Sequence, residues 1–237
     1  MSLLVTCDSG GWKTPQRVRQ RADDAGVSQL PCATGDRAAL LAAAAVARIG
    51  GGKIIANEFR SELIDVGRSI GNRELHGPVV RSWPAGLKKI ILEDVYQPYR
   101  RLVQSEIDAA IQRHGYVIHL AVRTYPQRTP SGHWHRGDVG LAYDPGRVDE
   151  VDWCLDLIDE LWEVTPELKV RRNYPRRGTH DGITRWMRRH FVERPYVGVE
   201  LMLNRAWLCR TGRLRDRALA GLAGAIGRIT PTMQRAA

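Results

Sequence analysis

The sequence predicts an α/β fold, a three-layer sandwich around a mostly parallel or mixed central sheet. Three observations carry the prediction. Short β-leaning runs alternate with amphipathic stretches along the whole chain. Two of the runs, YVIHLAV (116–122) and YVGVELML (196–203), are almost uninterruptedly apolar, as strands are when helices cover both faces of their sheet. Polar residues gather where the runs end, and in open α/β sheets ligands sit beyond the carboxyl ends of the strands.

Taken in order, LLVTC (3–7) reads as a first strand, stopped by Asp8-Ser9-Gly10-Gly11. After a polar stretch, Asp36 is placed to cap an Ala-rich helix from Arg37 to about Ile49, which Gly50-Gly51-Gly52 ends. KIIAN (53–57) is a second short strand. From Leu87 to His114, Ile90, Ile91, Val95, Leu102, Val103, Ile107 and Ile111 recur at helical spacing, with Pro98 kinking the helix or opening a second one. Gly115 ends it, and YVIHLAV follows. Val148–Trp162 is amphipathic with acidic residues outward; LKVR (168–171) is a strand candidate; Gly182–Phe191 is helical. YVGVELML and a closing helix over Arg213–Ile229 complete the series. No repeat, linker or low-complexity segment interrupts it, so residues 1–237 are read as one domain.

The bulk properties narrow the function. An apolar share of 43% supports a core, and no apolar run approaches the ~20 residues that span a bilayer. The first residues lack the basic start and apolar length of a signal peptide, so a cytoplasmic protein with no membrane partner is expected. Cys7, Cys32, Cys154 and Cys209 have no CxxC or CxxH spacing, which argues for buried free thiols over a zinc module or a disulfide framework. A net charge of +10 raises a nucleic-acid reading. It rests on charge alone, because the arginines are scattered and no nucleic-acid motif accompanies them; Arg forks serve small anionic substrates equally well.

Four strand ends offer polar groups: Cys7-Asp8-Ser9, Arg123-Thr124-Tyr125, Asn173-Tyr174-Pro175, and Glu200 with Asn204-Arg205. Asp8 reads either as a loop cap or as a site carboxylate. Arg68 either pairs with Asp65 or binds an anionic substrate. His119 shares a strand face with Arg123 and reads more readily as a satisfied core histidine than as a ligand. Glu200, flanked by Val199 and Leu201, points inward, where a carboxylate needs a partner or titrates toward the general-base range. Asp138 anchors its loop, with Arg136 as a partner, while Asn173 and Asp181 are turn formers. His133 and His135 form a loop H-x-H pair, a second possible source of metal ligands.

Several segments, in order, resemble the N-formylglutamate amidohydrolase family: LVTCDSGGWKTP, SELIDVGRS (61–69), VYQPYRRLV (95–103), the stretch from VIHLAVRTYP through HRGDVGLAYDPGRVDE, VRRNYPRRGTHDGITRWMRRHF, and YVGVELMLNR. The family is similar in fold to zinc-dependent carboxypeptidases. The resemblance implies hydrolysis of a formamide or amide C–N bond in a small anionic acyl-amino acid, with a metal-activated water, a carboxylate base and an arginine on the substrate's acid group. It makes Glu200 and Asp8 the catalytic candidates and Arg68, Arg123, Arg136 and Asn173 the substrate-binding candidates. His119, His133 and His135 are the candidate metal ligands, for zinc or cobalt or no metal at all. Four positions depart from the family pattern: Ser9 and Arg123 stand where it has histidines, Gly67 where it has asparagine, and Met202 where it has glutamate. A hydroxyl is a poor zinc ligand, and a permanent cation repels a divalent ion. Those departures leave an alternative open, a metal-free descendant that binds an anionic ligand or a partner without catalysis.

Overall fold

A computed structural model describes residues 2–27, 35–209 and 212–230. Six strands form one sheet in the order β2-β1-β3-β6-β4-β5, where β1 is Leu3–Cys7, β2 Lys53–Ala56, β3 Val117–Tyr125, β4 Val139–Ala142, β5 Val170–Arg172 and β6 Tyr196–Asn204. β2, β1, β3 and β6 run parallel, β4 meets β6 antiparallel, and β5 lies parallel to β4. The sheet is thus mixed, with its parallel part running from the β2 edge through the centre.

Helices cover both faces, which is why β1, β3 and β6 lack the polar alternation of a half-exposed sheet. On one face Leu3, Val5, Cys7, Ile118, Leu120, Val122, Val199 and Leu201 pack with α2 (Arg37–Gly50), α6 (Val148–Val164) and α9 (Gly212–Ile229). The opposite face sends Leu4, Val117, Ala121 and Tyr196 into a second core. Its helical partners there are α1 (Gln16–Asp24), α3 (Pro78–Arg81), α4 (Ala85–Ile91), α5 (Gln97–His114) and α7 (Ile183–His190). A last short helix, α8 (Arg205–Leu208), follows β6 directly.

Asp36 caps α2 as expected, its carboxylate accepting from the Ala39 N–H at 3.0 Å. Gly51 ends that helix in the left-handed region, at φ 74°, where a side chain would be strained. The expected Leu87–His114 helix is a continuous helical run from Ala85, but it is not uniform. Pro98 has no N–H to give back to the preceding turn, and just ahead of it the chain widens into a π-helical turn over Leu92–Tyr96.

Four elements escaped the sequence reading. α1 carries only two buried residues, Val18 and Ala22, too few for a periodic signal. α3 and α8 are single turns. β4 is four residues long and hides between polar flanks, in a stretch read as loop. Cys7 and Cys154 are buried free thiols, and burial pushes Cys7 up to about 12. Cys209 is exposed, against the expectation for it, because it follows the one-turn α8 at the surface. Cys32 lies outside the described residues.

Candidate functional site

Strand register assembles the site. Leu4 pairs with His119 and Thr6 with Ala121, while across β3 His119 faces Gly198, Ala121 faces Glu200 and Arg123 faces Met202. Residues paired in a parallel ladder point to the same face, as do residues two apart on a strand. Thr6, Asp8, His119, Arg123 and Glu200 therefore line one face of the sheet, at and near the carboxyl ends of its central strands.

Arg123 is the centre of the arrangement. Its Nη2 donates to Asp8 Oδ2 at 2.9 Å and to Asp65 Oδ1 at 2.7 Å, and its Nη1 donates to Asp65 Oδ2 at 3.2 Å. The Arg123 side chain is 13% exposed and that of Asp8 only 1%. Burial works against the Arg123 charge, but the Asp65 and Asp8 carboxylates more than offset it and hold the guanidinium protonated. Burial likewise opposes ionisation of Asp65, yet the Arg123 charge and its hydrogen bonds, with the Gly67 N–H, bring that carboxyl down to about 2.

The YQPYRR segment supports this centre from below. Tyr96, Tyr99 and Arg100 share a helix face by i, i+3, i+4 spacing. The Tyr99 hydroxyl donates to Asp8 Oδ1 at 2.7 Å, Tyr96 to the Arg68 carbonyl at 2.7 Å, and Arg100 to the Val66 and Arg68 carbonyls at 2.6 and 2.8 Å. One helical turn thus fixes both Asp8 and the 65–68 loop that carries Asp65. Burial, and then the neighbouring Asp8, raise Tyr99 well above the usual phenol range, so it acts as a donor only.

Glu200 has the inward position expected and also has its partner. Arg176, which the sequence did not single out, forms an ion pair with it, and the Thr184 hydroxyl lies 3.5 Å away. Glu200 also contributes to holding the charge on Arg123, so the two ion-pair centres share one electrostatic neighbourhood.

The remaining candidates divide by what occupies them. Arg68 reaches Glu74 at 2.9 Å and Asp65 at 3.5 Å, so its guanidinium is already committed to acids of the chain. Asn173 sits at φ 50°, a left-handed conformation that asparagine tolerates; its Oδ1 accepts from the Tyr143 and Gly178 N–H groups and holds the 173–178 loop. Asp181 ties down Ser69 and Asn72. Asp138 does anchor its loop, but its carboxylate takes the Lys169 N–H at 3.0 Å, and no ion pair links it to Arg136. Arg136 itself is exposed, with its backbone N–H on the Tyr174 hydroxyl, and it does not line the cleft described below.

The histidines are not arranged for a metal. His119 is fully buried with Nε2 2.9 Å from the Thr6 hydroxyl and Nδ1 2.8 Å from the Tyr196 hydroxyl, so neither ring nitrogen is left for an ion. Burial pushes it down to about 4, a neutral imidazole at ordinary pH. His135 bonds the Tyr174 hydroxyl, and His133 stands on the exposed loop. Among the described residues no three His, Cys, Asp or Glu side chains form a group that could hold a metal ion. The two carboxylates that do converge, Asp8 and Asp65, converge on a guanidinium. Zinc calls for nitrogen, thiolate and carboxylate donors in a tetrahedron, and this donor set does not fit it.

Beside Arg123 opens a cleft of about 410 Å³ lined by Ser9, Asp36, Arg37, Glu62, Thr124 and Arg205, among others. The helix cap closes one side of it: Asp36 also accepts from the Thr124 hydroxyl and from Arg205 at 3.2 Å, tying α2 to the ends of β3 and β6. Arg37, Arg123 and Arg205 bring guanidinium groups to its walls, Arg123 already paired with Asp8 and Asp65 and Arg205 with Asp36. Ser9, Arg123 and Thr124 were legible as strand-end residues. Asp65, Tyr99, Arg176 and Arg37 were not read as site residues, although Asp65 lies in a segment that carried the family resemblance.

A family model described as N-formylglutamate amidohydrolase matches residues 1–208. No curated protein matches the chain. Among solved structures, the gene product Atu2144 from Agrobacterium tumefaciens superposes with a TM-score of 0.75 at 18% identity, covering 98% of this chain and 91% of its own. An N-formylglutamate amidohydrolase from Ralstonia eutropha JMP134 superposes with a TM-score of 0.68 at 17% identity, covering 100% and 95%. At that identity the superpositions speak to the fold.

Proposed function

The chain belongs to the N-formylglutamate amidohydrolase family, and from that premise we propose that it hydrolyses the formamide or amide C–N bond of a small anionic acyl-amino acid held in the Arg37–Arg123–Arg205 cleft. The observation that carries this reading is the cleft itself: an arginine-lined concavity at the carboxyl ends of the central strands, where ligands of α/β sheets bind. Arg37 and Arg205 suit a substrate carboxylate, since a guanidinium fork matches it in plane. Ser9 and Thr124 offer hydroxyls for its polar remainder. Glu200 and Asp8, each bound to an arginine, are the catalytic candidates that the family resemblance implies, while Asp36 and Glu62 are the acids that line the cleft. With the Arg123 guanidinium between them, Asp8 and Asp65 are not free to hold a divalent ion.

One observation favours a second reading, in which the cleft binds an anion without turnover. Asp8 and Asp65 are both engaged by Arg123, and Glu200 by Arg176, so each carboxylate that would take a proton from water is already neutralised by a neighbour.

Purified protein assayed on N-formyl-glutamate and related acyl-amino acids, with and without added zinc or cobalt, separates the two. Turnover that falls in Arg37→Ala or Arg205→Ala supports hydrolysis. Thermal stabilisation by glutamate or other dicarboxylates without turnover selects binding alone. Neither turnover nor stabilisation overturns both.

A further inference from the structure

We propose that Arg123 is a built-in cation, a guanidinium that permanently does for Asp8 and Asp65 what a bound metal ion does for a pair of ligand carboxylates, and that Gly67 is the residue that makes room for it. The inference rests on the reading that no divalent ion resides between those two acids.

The geometry is specific. A single nitrogen, Nη2, reaches both carboxylates, at 2.9 and 2.7 Å. Divalent ions bind carboxylate oxygens at about 2.0–2.6 Å, so an ion at that point would need the two acids to close in by only a few tenths of an ångström. Guanidinium and metal therefore compete for one position. Oxygen donors of this kind favour harder ions such as manganese.

Gly67 explains how an arginine fits there. A Cβ at position 67 would stand 1.8 Å from Arg123 Nη2, 2.9 Å from its Cζ and 2.5 Å from Asp8 Oδ2. The free end of an arginine can normally swing away from such a clash. This one is clamped by two carboxylates, so yielding means breaking the ion pairs. Any larger residue at 67 is incompatible with Arg123 in place, and the two residues act as a unit. Tyr99 holds Asp8 from the far side, which keeps the acid pair assembled whatever occupies the gap.

The test is a manganese titration, read by calorimetry and by the electron paramagnetic resonance signal of free Mn2+, on wild type, Arg123→Ala and Arg123→Gln. Wild type should take up no ion between the two acids. At least one variant should bind about one Mn2+ per chain and gain thermal stability with it, and Asp65→Asn in that variant should abolish both. If a variant is unfolded in plain buffer, folding that depends on added Mn2+ is the expected equivalent. Gly67→Ala should lower the melting temperature of wild type and do so less beside Arg123→Gln, where only the Asp8 carboxylate, 2.5 Å from the added Cβ, still has to yield. Stoichiometric metal in wild type that Asp8→Asn removes would overturn the reading beneath the inference. A metal-free wild type with variants that, folded or refolding, ignore manganese would overturn the inference alone.

Discussion

Two of the protein's Arg–carboxylate centres, Arg188–Glu150 between α7 and α6 and Arg123 with Asp8 and Asp65 at the end of β3, are built on opposite terms. In the core, Arg188 is 6% exposed and spends every arm of its guanidinium: Nε on Glu150 at 2.6 Å, Nη1 on the Gly178 carbonyl at 2.8 Å and Nη2 on the Gly198 carbonyl at 2.6 Å. Glu150 is equally spent, accepting also from the Asp144 and Gly198 N–H groups. At the strand ends, Arg123 meets two acids and also lines an open cleft. The first arrangement satisfies backbone groups and fastens α6 and α7 to β6. The second satisfies almost no backbone and instead sets the charge of a concavity. Identical residue types are scaffold in one place and site in the other, and the partners decide which.

The largest effect expected from breaking this contrast is in the scaffold centre. Arg188→Met takes the nearer cation from Glu150 in the core, leaving it Arg147 Nε at 3.3 Å, and chemical unfolding should show a loss of about 3 kcal/mol. Next comes the histidine between the two centres. The folded pKa of His119 lies near 4, below its ordinary 6.5, so the unfolded chain takes up a proton that the folded one resists. Stability should fall as pH drops from about 6.5 to 4, by on the order of 3 kcal/mol, and level off below. His119→Gln should flatten that limb. Asp65 shifts in the same direction but acts lower: its folded pKa near 2 means a contribution intact above about 3.8 and lost as pH falls toward 2. Asp65→Asn should remove this second limb and cost about 2 kcal/mol at neutral pH, read by unfolding across a pH series. Smallest in stability are the cleft arginines. Arg37→Ala and Arg205→Ala should change unfolding by under ~0.5 kcal/mol while weakening dicarboxylate binding about tenfold, measured by titration calorimetry.

The difference between the centres also bears on what could be read from the sequence. The strands β1, β3 and β6 announced themselves because their apolar runs are long and covered on both faces, and Asp36 announced a helix by its type and place. Glu200 could be read as buried from its neighbours alone. Its partner Arg176 could not, because a 24-residue separation carries no periodic signal and Arg176 is one of many scattered arginines. Asp65 was visible only as a potential mate for Arg68. What joins it to Arg123 is the docking of the 65–68 loop on Tyr96 and Arg100, a tertiary event. Arg136 shows the converse: two residues from Asp138 and charge-matched, it lies exposed, while Asp138 serves the Lys169 backbone. Proximity in sequence was a poor guide wherever the backbone had a prior claim on a side chain.

The π-helical turn over Leu92–Tyr96 has a bearing on how this chain can be altered. A π turn accommodates one more residue than the α-helical turn it replaces, so the face presented after it is rotated by about 100° relative to an uninterrupted helix. Tyr96, Tyr99 and Arg100 lie at and just beyond that offset. Deleting one residue from 92–95 removes the extra residue that the wide turn holds, so regular winding resumes and Tyr99 and Arg100 keep facing Asp8 and the 65–68 loop, whereas the same deletion in regular helix would turn them by about 100°. The helix thus holds one spare residue ahead of the site, and grafts or chimaeras that join at Ala85 or Ile91 keep the site's spacing either with the wide turn intact or with regular winding one residue shorter.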